Sequence, residues 1–219
     1  MRQALKQYLP MVAGALLMSG TTVIGQSMAS MLEPGSVAAL TYGNKMVAFA
    51  LGIGNVALGT AVFPHFARMT SVGDWSGIRH TLKTYVRLIL LIVLPFTALL
   101  IYLSGAIVQV VFERGAFTAQ DTALVARTQA FYLLQTPFHV IGILGVRLLS
   151  ALGCNQNLMV ISAANLVVNV AGNFVLMSVM GVEGISLSTS IVYAFSMTLI
   201  FLVLRSTLNK NERQDGNRS

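Results

Sequence analysis

Charge is what this chain has least of. Only 10% of its 219 residues are Asp, Glu, Lys or Arg, against about 25% in an ordinary soluble domain, and 55% are hydrophobic. That balance excludes a conventional water-soluble domain and implies an integral membrane protein. Cysteine is scarcer still: Cys154 stands alone, which excludes a disulfide within the chain and any all-cysteine metal site. The histidines, His65, His80 and His139, are far apart and show no ligand spacing. The acidic residues all fall in loops or near the C-terminal end, so no buried acid pair exists for general acid–base work. Serines and threonines lack a neighbouring base, and the glycine-rich stretches are apolar rather than phosphate-cradling. No catalytic constellation emerges, so the sequence does not read as an enzyme. The apolar run from Tyr8 is too long for a cleavable signal peptide, and no A-x-A site follows it. Net charge is +7, but the basic residues are scattered in short loops, which argues against a nucleic-acid partner.

What the chain has in quantity is long apolar runs. A helix needs roughly 20 apolar residues to cross a hydrocarbon core about 30 Å thick. Six segments qualify, at about 8–32, 37–66, 85–112, 122–152, 158–180 and 185–204. Turn chemistry separates them: Glu33-Pro34-Gly35, Gly73-Asp74, Arg114-Gly115, Gly153-Cys154-Asn155 and Gly181-Val182-Glu183-Gly184. Helices satisfy their own backbone groups in lipid, while the segment lengths and the lack of period-2 alternation exclude a β-barrel. The expected fold is therefore an all-α membrane bundle of six helices, with residues 209–219 a polar, disordered tail. If both termini share one side, that side holds eleven Lys and Arg, from Arg2 to Arg218, while the other holds Arg114 and Arg127 beside four acids. The positive-inside rule then places both termini in the cytoplasm.

A few polar groups interrupt the spans. Lys45, in "ALTYGNKMVAFALGIGNVALGTAVFP", lies nine residues after Ser36, or roughly 13 Å along a helix. A cation at that depth costs about 2.5–3.5 kcal/mol on insertion scales, so it should face the bundle or a watery cavity. The alternative is a side chain that snorkels outward or pairs with Asn44 or a carbonyl. In a cavity, a lysine suits an anionic substrate, because its point charge attracts phosphate without fork geometry. Asn165, Asn169 and Asn173 recur every four residues and share one helical face. They could bond across helices, or supply amide oxygens to a hard cation. Gly43, Gly52, Gly54 and Gly59 with Asn55 allow close packing or bending, and Pro64, Pro95 and Pro137 are candidate kinks. Arg127 and Arg147 fall near span ends. His139, mid-span, is either a proton-relay group or a hydrogen-bonded packing residue.

The order "YGNKMVAFALGIGNVALGTAVFPHFARM", "VFERGAFTAQDT" and "NLVVNVAGNFVL" resembles the MurJ/MviN lipid II flippase family of the multidrug/oligosaccharidyl-lipid/polysaccharide exporter superfamily. The resemblance covers residues 8–204 and implies the second of two six-helix lobes, spans seven to twelve of fourteen. It implies a flippase for lipid II, an undecaprenyl-pyrophosphate-linked sugar, working by alternating access in the bacterial inner membrane. Lys45, with Asn44 beside it, then matches a place usually held by an arginine facing a cationic cavity. The resemblance further implies a sodium site of Asn169, Asn173 and Thr189 side chains and the Ile185 carbonyl. Carboxylates that serve some members there are replaced by Asn173 and by Gly25 and Gln26, which removes negative charge; no other cofactor is implied, and coupling is to sodium or protons. One lobe cannot enclose a cavity, so a second lobe, on another chain or a second copy, is an expected partner. The rival readings are a carrier of another polyprenyl-linked oligosaccharide, such as O-antigen or exopolysaccharide, and a truncated remnant.

Overall fold

Five glycines in the left-handed region set the course of the chain. Gly35 (φ 96°), Gly73 (73°), Gly115 (63°), Gly153 (72°) and Gly181 (61°) occupy the turns between successive rods. A Cβ would clash at such angles, so glycine is the residue that lets a helix end and reverse there. The fold, a computed structural model, is described for the backbone of residues 2–115 and 117–216; side chains are described outside 1–11, 13, 15, 18, 53–61, 63 and 214–216. Asn55, Gly54, Gly59, Arg2, Lys6 and Arg218 therefore lie outside the described side chains.

The described chain forms α1 (Arg2–Ala29), α2 (Ser36–Ser71), α3 (Trp75–Tyr102), α4 (Ser104–Phe112), α5 (Ala119–Leu133), α6 (Gln135–Ala151), α7 (Asn155–Met180) and α8 (Val182–Gly216), with no strand among the described residues. α3 with α4 and α5 with α6 are each one rod with a break, so the helices compose six rods. Among the described residues, the stretches 75–102, 119–151, 155–180 and 182–213 are long and apolar enough to cross a membrane. The chain is a multi-pass, all-helical membrane protein.

The breaks have local causes. Pro137 has no N–H to give to the carbonyl of Leu133, and the helix interrupts at Leu134 between them. The other break, at Leu103, precedes the pair Ser104-Gly105, and Ser104 Oγ donates to the Ala126 carbonyl of α5 at 2.7 Å. Pro64 and Pro95, in contrast, lie inside unbroken helices. Residues 217–219 lie outside the described residues, and for 209–216 the expected disorder from Asn209 is corrected: α8 continues to Gly216. There Arg79 of α3 donates to Glu212 and Asn209, a side-chain anchor that composition alone does not reveal.

Packing sorts the rods. α1 packs chiefly on α7, α7 on α8, α8 on α6, and α2 on α5 and α6, while α1 and α2 scarcely touch. The end that carries the 71–75 turn is filled by Phe66, Ile78, Leu144, Leu148, Leu149 and Leu204, all fully buried. Toward the middle the buried groups turn polar, with Thr128, Gln129, Gln135, Asn165, Asn169 and Asn173. α3 exposes Leu88, Leu91, Ile92, Leu94, Phe96 and Leu99, the apolar face expected where a helix meets lipid. A plugged end and a polar middle leave room between α1 and α2.

Candidate functional site

That room is a cavity of about 590 Å³, walled by α1, α2, the α5–α6 rod, α7 and α8. Its lining holds Asn44 and Lys45 from α2, Asn165 and Asn169 from α7, and Ile185 and Thr189 from α8. Five of the six residues singled out in the sequence as site residues thus share one cavity. The sixth, Asn173, is fully buried one turn beyond Asn169, outside the lining.

Lys45 is exposed at the cavity wall, and among the described residues no carboxylate pairs with it. Its Nζ stands 4.5 Å from the centroid of the Tyr42 ring. The two ion pairs of the described chain are remote. Arg127 Nε meets Glu183 Oε1 at 2.6 Å, tying α5 to α8, and Arg79 Nε meets Glu212 Oε1 at 2.7 Å at the opposite end. Arg147 is exposed.

The three asparagines of α7 face α8 and one another. Asn165 Nδ2 donates to Ser196 Oγ at 2.9 Å, and Ser188 Oγ approaches the Asn169 carbonyl at 3.5 Å. Asn173 Nδ2 donates to Asn169 Oδ1 at 3.2 Å. Thr189 Oγ1 donates to the Ile185 carbonyl at 3.0 Å, a bond within α8. The buried oxygens Asn165 Oδ1 and Asn173 Oδ1 have no hydrogen-bond partner among the described residues. Gly25 sits against this group: a Cβ there would lie 3.6 Å from Ile185 Cγ2 and 4.0 Å from Asn173 Nδ2.

These contacts test the four residues as a sodium site. A hard cation wants several oxygens, and charge among them sets the affinity. Here every donor is neutral, Asn169 Oδ1 already accepts a hydrogen bond, and position 25, which reaches the group, carries no side chain. The set fits an interhelical polar seam better than a resident cation.

Sequence reasoning missed much of the remaining wall. Tyr132 and Gln135 line the cavity from the α5–α6 rod, beside the His139 that the sequence did single out, and Tyr193 and Ser196 do so from α8. The signal was available: positions 132, 135 and 139 share a face, as do 189, 193 and 196. His139 packs edge-on to Tyr193, centroids 4.8 Å apart, and its Nε2 has no partner among the described residues.

Known proteins bear on this geometry. The family model for lipid II flippase MurJ matches residues 1–215. A probable lipid II flippase MurJ of Synechocystis sp. is 33% identical over 175 residues, covering 80% of this chain and 33% of that protein. One from Rickettsia prowazekii is 27% identical over 178 residues, covering 81% and 35%. The chain thus spans about a third of the length of these curated relatives. Among solved structures, lipid II flippase MurJ in an inward closed conformation matches with TM-score 0.80 at 22% identity, over 92% of this chain and 42% of that one. A MOP superfamily transporter from Pyrococcus furiosus matches with TM-score 0.72 at 18% identity, over 88% of this chain and 42% of that one. At those identities the structural matches speak to the fold alone.

Proposed function

This chain belongs to the lipid II flippase MurJ family, and from that premise we propose that it is one lobe of a flippase that carries lipid II across the bacterial inner membrane. The observation that carries the reading is the position of Lys45: a cation on the wall of a half-open polar cavity, without a carboxylate partner among the described residues. Such a charge stays available to a pyrophosphate, which it attracts as a point charge.

The cavity is a groove rather than a chamber, because the span between α1 and α2 has no wall of its own. A second lobe supplies the missing wall, and rocking of the two lobes exposes the groove first to one side and then to the other. Lys45 holds the pyrophosphate meanwhile, and the amide groups of Asn44, Asn165 and Gln135 give the sugar hydrogen-bond partners. No bond of the cargo is made or broken, so the chain works as a transporter and not as an enzyme. Both termini face the cytoplasm, on the eleven-to-two distribution of basic residues.

The test is reconstitution of this chain with the six spans that precede the matched region in a family member. Liposomes holding both halves should move fluorescent lipid II to the opposite leaflet. Liposomes holding either half alone should not. No transport by the two halves together, with both inserted, contradicts the reading.

A further inference from the structure

Tyr42 and Lys45 are three residues apart on α2, so their side chains share a face. The Lys45 ammonium lies 4.5 Å from the Tyr42 ring centroid, well inside the range of a cation–π contact. The ring is held in turn. Phe112, at the end of α4, packs on it with centroids 5.0 Å apart and planes at 56°. Phe117, beyond the 113–115 turn, meets it at 5.9 Å and 89°, edge to face. The two phenylalanines lie 6.4 Å from each other. With buried Ala39, Val108 and Val125 they form an apolar cluster separate from the main core. One side chain therefore joins the cavity cation to the hairpin between α4 and α5.

We propose that Tyr42 is the positioning residue for Lys45, and that Phe112 and Phe117 fix the ring that does it. The inference rests on the reading of Lys45 as a cargo contact and deepens it. A lysine stem is flexible enough to carry its charge toward either headgroup layer. A carboxylate neighbour would restrain that motion but would also cancel the charge and compete with a pyrophosphate. An aromatic face restrains the ammonium through its quadrupole and leaves the net charge intact. Tyr42 thus holds Lys45 at the cavity wall in a state still able to bind an anion.

The experiment uses the chain in lipid nanodiscs with lysine labelled with 13C at Cε. The Lys45 Hε protons, assigned by their loss in Lys45→Arg, should resonate upfield because they sit over the ring. Tyr42→Leu should abolish that displacement, whereas Tyr42→Phe should keep it. Phe117→Ala, which frees the ring without removing it, should reduce it. Farnesyl diphosphate serves as the soluble anionic probe. Its dissociation constant should rise about two- to fivefold in Tyr42→Leu, as expected for loss of a partly exposed cation–π contact, and stay at the wild-type value in Tyr42→Phe. A Lys45 signal that is not displaced in the wild type, or is unchanged by Tyr42→Leu, overturns the contact. Unchanged probe affinity in a folded Tyr42→Leu chain overturns the positioning role. If Lys45→Ala binds the probe as the wild type does, the cargo reading falls, and the role with it, while the ring-current signal still reports the Tyr42–Lys45 pair.

Discussion

Arg79 and Glu212, 133 residues apart in the chain, meet as a two-pronged pair: Nε to Oε1 at 2.7 Å and Nη2 to Oε2 at 2.9 Å. The same Nη2 donates to Asn209 Oδ1 at 2.6 Å. The last turns of α8 are thereby fastened to the first turns of α3. Both side chains are about a third exposed, 33% and 39%, and an ion pair screened by water contributes at most about 1 kcal/mol. Arg79→Ala should therefore leave the melting temperature of the bundle nearly unchanged while loosening the end of α8. Limited trypsin digestion from the N-terminal face should cut faster after Lys210 and Arg213. Equal cutting in wild type and variant would show that the pair does not hold the helix end.

The orientation can be read by accessibility. With Cys154→Ser as background, a membrane-impermeant maleimide added outside spheroplasts should label Gln120→Cys, in the exposed start of α5, but not Val72→Cys, 72% exposed at the 71–75 turn. The eleven-to-two bias of basic residues motivates this outcome. The reverse labelling pattern would invert the topology.

Two glycines separate close packing from open space. A Cβ on Gly184 would run into the backbone carbonyl of Leu176, which cannot swing aside as a side chain can. At Gly52 a Cβ would meet nothing within 4 Å among the described residues. Gly184→Ala should destabilise the chain by about 1–3 kcal/mol through overpacking. Gly52→Ala, in the middle of α2, should be neutral or stabilising by up to about 1 kcal/mol from helix propensity. Thermal unfolding in detergent measures both, and equal melting temperatures for the two variants would refute the α7–α8 contact as drawn.

The neutral amide seam makes its own forecast. The wild-type chain should melt at the same temperature in sodium and in potassium chloride. Asn173→Asp adds a carboxylate where Asn173 Oδ1 now has no partner and should gain a sodium-specific rise, since a ligand that binds only the folded state stabilises it. A sodium-specific rise already present in the wild type would restore the cation site.

Much of this architecture is legible in the sequence. The five turns stood in the sequence because a glycine interrupts the apolar runs at each, and each carries its positive-φ glycine. The cavity position of Lys45 followed from the cost of burying an unpaired cation. What stayed hidden depends on tertiary contacts. Pro137 coincides with a break while Pro64 and Pro95 do not, although all three lack the same N–H. The ordering of α8 beyond Asn209 hangs on Arg79, far away in sequence. The ring beneath Lys45 was three residues away, yet its support comes from Phe112 and Phe117 of the α4–α5 hairpin. Spacing reports which residues share a face; it does not report what packs on that face.

The central claim is that Lys45 meets the cargo's pyrophosphate, and complementation tests it most directly. A strain depleted of its own lipid II flippase, supplied with the missing lobe, should grow when this chain is expressed and should also grow with Lys45→Arg, which keeps the charge. Lys45→Ala should be inserted in the membrane at the wild-type level and fail to support growth. Growth with Lys45→Ala equal to that of the wild type would contradict the account and leave the lysine a side chain without cargo.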